Sequence, residues 1–394
     1  MATAASAKTR RDWNEEYYQV LQSDPLHRGQ KLHELSLEFM SVASALGQVI
    51  IKERHLPLSK KTIKPLSCLG IAGGEKYLHE SIFFKYAVDK NHLFGSDEFA
   101  MKVAGHELKG QTAMVSCGMI HGLNFGLMTI IDYRGYRLLA TSSLPISHET
   151  LVYGSGDGGQ TVHADLSEMN HLIKQCAAVL NLKGHVAGVN NEPDKNRFLY
   201  GPCDIEGHLG HDGRLYVVDL ARLFPPESPS RDKPGAFLYQ LLRPELVSRF
   251  RCPLSSDAFT LFGHTDNKVH DSEVHEATRY LHDKVIPDFA RTLTQLDAKD
   301  DQDLRHAMLL AKELAASSMP LTLSMEIANC TTSRRSIEWL IEDLHRAGIN
   351  SMSLSPPLIA SVKAARTNSQ FLSLSLSLSS SASRLCTPID DATN

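Results

Sequence analysis

The chain has 394 residues, 42% of them hydrophobic and 22% charged, with a formal net charge of −4 at pH 7. The proportions are those of a globular protein, and the length accommodates two or three domains of roughly 100 to 200 residues. The acidic balance gives no support to a surface that grips many phosphates, because released counterions supply most of that affinity and Lys and Arg must be in excess to release them.

Trp13, Tyr17 and Val20 stand at helical spacing and predict a first helix over Asp12 to Leu21, closed by Ser23-Asp24-Pro25. Leu32, Leu35, Phe39, Val42, Leu46 and Val49 mark a longer amphipathic helix that ends between Gly47 and Lys52. A basic loop follows, with Lys60, Lys61 and Lys64 near Lys52 and Arg54; it reads as a solvated loop before a nucleic-acid patch. The β-formers of Ile82 to Val88 predict a buried strand, and Asp97 to Cys117 a helix with Asp97 as N-cap and Phe99, Val103, Leu108 and Met114 on its apolar side. Leu127 to Asp132 and Tyr136 to Leu144 flank Tyr133-Arg134-Gly135 as a hairpin.

Leu166 to Leu182 places Met169, Leu172, Ile173, Cys176, Val179 and Leu180 on one face, a core helix. Asp204 to Gly210 and Arg214 to Leu220 surround Asp212-Gly213, a strong short hairpin signal. The run from Pro225 to Ser230 reads as a break. Beyond it, helical pieces are expected over Tyr239 to Phe250, over Ser272 to Ile286 with a stop at Pro287, and over Ser333 to Arg346 with Gly348 after it. Helices and hairpins in this order predict an α+β fold, not a repeating βαβ unit.

The seven cysteines are odd in number, scattered and without a Cys-x-x-Cys pair, so reduced thiols are expected and neither a disulfide framework nor a zinc ribbon. No apolar run approaches the roughly 20 residues that span a bilayer, and residues 1 to 11 hold no signal-peptide core. Lys8, Arg10 and Arg11 among alanines resemble a transit peptide only weakly.

Gly154-Ser155-Gly156-Asp157-Gly158-Gly159-Gln160-Thr161 has the outline of a phosphate loop, but Gln160 stands where the phosphate-binding lysine belongs, which favours a plain glycine-rich turn. His208 with His211, and His275 with His282, lack the carboxylate constellation of a zinc site, so no metal is expected. No Gly-x-Ser-x-Gly elbow occurs. A kinase-like order of parts competes more seriously. Gly70, Gly73 and Gly74 precede the strand that carries Lys85, a helix carries Glu107, and a later hairpin is bounded by Glu206 and Asp219, which could share a metal ion. Against activity, His185-Val186-Ala187 lacks the carboxylate of a catalytic loop, and Asp219-Leu220-Ala221 lacks the glycine that follows a kinase metal-binding Asp. Arg134, Arg137, Arg214 and Arg222, with Asp219, cluster around the two hairpins, where ion pairs tying hairpins to the core explain them better than a recognition surface.

Three signatures stand in order between Asp132 and Glu227. They are Asp132-Tyr133-Arg134-Gly135-Tyr136-Arg137, then Tyr153-Gly154-Ser155-x-Asp157, then Glu206-Gly207-x-x-Gly210-x-Asp212-Gly213-Arg214-x-Tyr216-x-x-Asp219-Leu220-x-Arg222-x-Phe224-Pro225-Pro226. Preceded by Arg11-Asp12-Trp13-Asn14-Glu15-Glu16, this series resembles the Clu domain of the clustered-mitochondria proteins over roughly residues 11 to 250. The resemblance implies a cytoplasmic, largely non-enzymatic protein without a cofactor, linked to mitochondrial distribution and to messenger RNA or protein partners. With the Clu domain over 11–250, the residues themselves predict a disordered start over 1–10, a helical extension over 251–350 and a low-complexity, disordered tail over 351–394. No tetratricopeptide-type repeat of about 34 residues, as larger members carry, occurs in the chain.

Leu344-His345-Arg346-x-Gly348-Ile349-Asn350 resembles a continuation found in larger Clu-type proteins, and the likeness ends at Ser351. The Ser-Leu alternation of Phe371 to Ser383 is what a TC dinucleotide repeat encodes, so 351–394 is expected to be an exon or truncation artefact; as an exposed strand it would be an aggregation hazard. Deleting 351–394 should therefore leave the melting temperature nearly unchanged. A differential scanning experiment showing a fall of more than a few degrees would place the tail in the folded core.

Overall fold

Two aspartates start the chain's helical hairpin. Asp12 caps α1 (Trp13–Leu21) by accepting from the Asn14 and Glu15 amides, and Asp24 caps α2 (Pro25–Lys52) by accepting from Leu26 N, with Pro25 in the first turn. Asp24-Pro25 thus opens the second helix instead of closing the first. The computed structural model describes residues 11–117, 122–189, 195–229, 235–262 and 267–289. It divides into two units, Met1–Ala277 and Thr278–Asn394.

In the first unit the elements after α2 are β1 (Pro65–Leu69), β2 (Glu75–His79), β3 (Ile82–Tyr86), α3 (Asp97–Ser116), β4 (Leu123–Asn124), β5 (Met128–Tyr133), β6 (Tyr136–Ser142), β7 (Leu151–Gly154), β8 (His163–Ala164), α4 (Ser167–Leu180), β9 (Gly184–Ala187), β10 (Arg197–Tyr200), β11 (Glu206–Leu209), β12 (Leu215–Val218), α5 (Pro244–Arg249) and α6 (Asn267–Tyr280). The mixture is α+β, as the sequence predicts. One antiparallel sheet has the order β1-β2-β3-β6-β5 and a second has the order β4-β12-β11-β7-β8, with β9 and β10 paired apart. Only β12 and β4 run parallel among the paired strands described.

Both predicted hairpins form. Arg134 and Gly135, at φ +50° and +79°, turn β5 into β6, the geometry that matches the strand twist and favours glycine second. β11 and β12 pair from Glu206↔Val218 to Leu209↔Leu215 around Asp212-Gly213. β1 and β2 were hidden in the basic loop, because the turn glycines and lysines mask two short strands. Within that loop Lys61 is buried, its Nζ 3.7 Å from a Glu75 carboxylate oxygen, so the loop is not uniformly solvated.

The main core lies between the helical hairpin and one face of the first sheet. Trp13, Leu35, Phe39, Ala43, Ile50 and Ile51 pack against Tyr77, Ile82, Phe84, Ile131 and Leu138. By length and composition α2 is apolar enough to cross a membrane, and a third of its most apolar stretch is buried in this core. On α3, Ser96 caps instead of Asp97, accepting from Phe99 N, and the buried line is Ala100, His106, Glu107, Gly110 and Met114. Leu108 and Val103 are only partly buried because that helix serves polar contacts as well. On α4 the predicted face is buried except for Val179, which is 60% exposed one position off the packed stripe.

The Pro225–Ser230 break is only partly one: Pro225 O accepts from Leu242 N, Pro226 pairs with Leu241, and both prolines are buried. Tyr239 to Phe250 is helical only over α5, since Pro244 fits a first helical turn and excludes a longer helix across it. Of the second unit only 278–289 is described: the end of α6, a π-helical turn over Leu281–Val285, and helical residues 286–289. The predicted stop at Pro287 fails because the wider π turn just before it relieves the ring's clash with the preceding turn. The expected helix over Ser333 to Arg346 and the tail lie outside the described residues.

Trp13 is 2% exposed, meets Phe39 edge-on at 5.4 Å and donates from Nε1 to Glu80 O at 3.2 Å. Trp13→Ala should cost about 3–5 kcal/mol in urea unfolding, as large-to-small core changes do. A cost under about 1 kcal/mol would mean that the helical hairpin is not packed on the sheet.

Candidate functional site

Period-2 alternation sends Ile82, Phe84 and Tyr86 of β3 into the main core and turns Lys85 to the opposite face. There Lys85 Nζ lies 3.1 Å from Oδ1 of Asp219, the residue that follows β12. Asp219 has left-handed backbone, φ +55°, which few residues other than glycine adopt and which Asp tolerates better than most. The segment after it is locked to α3. Glu107, 6% exposed, accepts a hydrogen bond from Leu220 N at 2.8 Å. A Cβ on Gly110, one turn along the helix, would stand 2.3 Å from Leu220 O, so only glycine permits this approach.

Sequence reasoning places Lys85, Glu107, Glu206 and Asp219 in one site; the structure brings Lys85, Glu107 and Asp219 together, with Glu206 near enough for its charge to act on Lys85. Lys85 pairs with Asp219, not with Glu107. Glu206 stands opposite Val218 and contacts His208, with Nε2 of the latter at 3.3 Å from Oε2, while His208 Nδ1 meets Thr150 Oγ1 at 3.0 Å. Among the described residues no group of three or more His, Cys, Asp or Glu side chains could hold a metal ion. The expectation that Glu206 and Asp219 share one therefore finds no ready-made cage. Lys76, directly opposite Lys85 across β2 and β3, was missed; only the register of a strand hidden in the loop shows it.

Electrostatics follow from this crowding. The charge of Asp219 raises the Lys85 ammonium well above its ordinary range against the opposing effect of burial. Burial lifts the Asp219 carboxyl, and the charge and hydrogen bond of Lys85 more than offset it, leaving it below the ordinary range. Burial, then the neighbouring Asp219 charge, push Glu107 up to about 7. Protein surrounds all three, yet the Lys85 and Asp219 side chains remain 39% and 42% exposed, which marks a recess open to water.

The family-motif residues serve the architecture. Asn14 Nδ2 donates to Tyr216 OH at 2.9 Å and that hydroxyl donates to Asp212 at 2.7 Å; Arg214 pairs with Glu15 at 2.8 Å and lies 3.5 Å over the Tyr18 ring. The first motif and the last thus meet across some 200 residues. Arg137 grips Asp132 through two hydrogen bonds of 2.7 Å and donates to Met101 O, while Arg134 lies over Tyr133 at 5.2 Å and Tyr136 meets Tyr86 edge-on at 6.0 Å. Tyr153 OH bridges the backbone of Tyr200. Ser155 Oγ accepts from Gly159 N and donates to Asp157, so the glycine-rich run after Gly154 is a self-satisfied turn. Gly210 closes the β11–β12 loop through Gly210 N to Arg214 O at 2.8 Å, and Gly213 turns it at φ +78°.

Arg222, 5% exposed at its side chain, bridges Asp204 at 2.7 Å and Asp257 at 2.9 Å, and Asp257 also accepts from Cys203 N and pairs with His185 at 2.8 Å. His185 is thus held in a buried structural network. Asp257 carries no motif context, and nothing in the sequence singles it out. His275 Nδ1 meets Ser228 Oγ at 3.0 Å, and all five described cysteines are free.

The model of the family described as "Clustered mitochondria" matches residues 12–229. The chain belongs to the clustered mitochondria family. A clustered mitochondria protein homolog of Caenorhabditis elegans is 28% identical over 232 residues, 55% of this chain and 18% of the relative. Protein clueless of Drosophila willistoni is 27% identical over 55% of this chain and 15% of its own length, and a Neurospora crassa homolog 27% identical over 62% and 20%. The chain therefore matches a fifth or less of the length of these relatives. No solved structure matches it.

Glu107 carries a pH signature. Its folded-state pKa of about 7 lies above its ordinary 4.5, so the folded state binds more protons between those values and loses stability as pH rises from about 4.5 to 7. Glu107→Gln keeps an acceptor for Leu220 N and should abolish that component, so the variant gains on the wild type as pH rises through the window. Parallel melting curves at pH 5 and pH 7.5 with an unchanged difference would refute the assignment.

Proposed function

We propose that this chain acts in the intracellular distribution of mitochondria as a non-enzymatic, cytoplasmic Clu-domain module that binds messenger RNA or protein partners. Family membership supports the mitochondrial part. The non-enzymatic part is carried by the catalytic-loop position, where His185 is taken up by Asp257 in the buried Arg222 network. Phosphoryl transfer needs a strand lysine free to meet phosphates and a carboxylate that orients the acceptor hydroxyl. Here the carboxylate is missing: His185, the second residue of β9, is followed by Val186 and Ala187.

The RNA part rests on the family alone. The net charge of −4 and the burial of Lys61 lend it no support.

Two measurements test the reading. Labelled-phosphate transfer from Mg-ATP by the full chain should not exceed that of Asp219→Ala; transfer lost with that substitution would overturn the non-enzymatic part. Ultraviolet crosslinking in cells should recover messengers of mitochondrial proteins above the level of an unrelated cytoplasmic protein. Recovery at that background would remove RNA and leave protein partners.

A further inference from the structure

We infer that the recess between Lys85 and Asp219 binds a Mg2+-polyphosphate, the tail of a nucleoside triphosphate, without transferring it. The inference rests on the non-enzymatic reading of the same site and names its ligand.

Three independent features point to it. First, Lys76 and Lys85 stand directly opposite each other on one face of antiparallel strands, an arrangement that like charges oppose. Asp219 feels both charges, and an entering anion would relieve the same pair. Second, the turn between β1 and β2, Gly70-Ile71-Ala72-Gly73-Gly74, lies at this end of the sheet. A Cβ on Gly70 would come within 4.0 Å of the Lys76 side chain, and Gly74 admits none, with Tyr86 O at 2.2 Å. Ile71 is 80% exposed at its tip. The Gly70 and Gly73 amides close the turn on Gly74 O and Gly70 O, so the turn is a fixed edge beside Lys76 that meets an entering polyphosphate through its exposed tip.

Third, Asp219 is pre-set in left-handed backbone, with Glu107 and the bare Gly110 clamping the next residue. A surface ion pair requires no such scaffolding, whereas a group that must hold its direction does. Asp219 would supply the one carboxylate that Mg2+, which keeps several waters, takes together with ligand phosphates. On binding, phosphate oxygens would join Asp219 on Lys85 and reach Lys76, and the Asp219 oxygen not bonded to Lys85 would face the hydrated metal. The sheet order β1-β2-β3-β6-β5, with α3 inserted after the lysine strand, arranges glycine turn, lysine, helix carboxylate and Asp219 as nucleotide-binding kinase-like sites do.

Calorimetric titration of the full chain with Mg-ATP, Mg-tripolyphosphate and Mg2+ alone tests this. Saturable binding of the first two in the micromolar to millimolar range is expected, with Mg2+ alone weaker. Lys85→Met and Asp219→Asn should each weaken it about tenfold or more, the effect of losing a charge-assisted contact. Lys76→Gln should weaken it less, and exposed Lys174→Ala on α4 not at all. Lys76→Gln keeps the test open should either recess variant fail to fold, which melting curves will show. Tighter Mg-ATP than Mg-tripolyphosphate assigns the ligand as a nucleotide, and equal affinity assigns it as the polyphosphate chain; both support the site. No saturable binding by the wild type, or binding indifferent to Lys85, Asp219 and Lys76, overturns it. Phosphate transfer abolished by Asp219→Asn would overturn the non-enzymatic reading while leaving the binding site intact.

Discussion

The hydrogen bond from Leu220 N to Glu107 is the contact on which the centre of the first unit depends. It joins a helix inserted between β3 and β5 of the first sheet to the strand end that leaves the second, and it does so where both are buried. A buried carboxyl is costly unless its acceptor capacity is used, and an amide left without a partner in the same place would cost about 1–3 kcal/mol. The close packing of Gly110 against Leu220 brings the two into range. Once that segment is fixed, Asp219 has one direction, and Lys85 has one carboxylate to meet.

The two polar centres of the unit solve the burial of charge differently. Around Arg222 the cation is enclosed: Arg222, Asp257 and His185 are buried, a backbone amide adds to Asp257, and only Asp204 at the rim meets water. Removing a member of such a set leaves an uncompensated buried charge, which is why it reads as architecture. Around Lys85 the pair is open to water on one side and Glu107 is held near neutrality by its surroundings. Only the second arrangement has a charge state and a partner that a small ion can change. Ion-pair geometry alone does not distinguish the two; exposure does.

Much of this was legible in the sequence because it is local. The Arg134-Gly135 and Asp212-Gly213 turns, the apolar stripe of α4 and the buried line of α2 each follow from periodicity or from backbone freedom at one position. The family series was legible for the same reason, being a string of turn glycines and the arginines beside them. What was not legible is non-local. Ser96 displaced Asp97 as cap by a single residue, β1 and β2 were too short to show alternation, and Lys76 gains meaning only from a strand partner. The analogy of order put Lys85, Glu107 and Asp219 in one region but said nothing of which carboxylate the lysine meets; the structure pairs it with Asp219. Spacing along a chain says which groups arrive in one region; only packing says which of them touch.

The motif contacts also bear on where recognition can reside. Asn14, Tyr216, Asp212, Arg214, Glu15 and Tyr18 are engaged with one another, as are Arg137 with Asp132 and Arg222 with its aspartates. Groups already paired and partly desolvated make poor contacts for a macromolecule, since each must first give up its partner. The series that identifies the family is therefore chiefly the series that closes the fold, joining the first helix to the second sheet. A fold so closed can carry a binding role only through groups that the closure leaves reachable by solvent, and among those placed by the motifs Asp219 is one whose partner, Lys85, is itself half exposed.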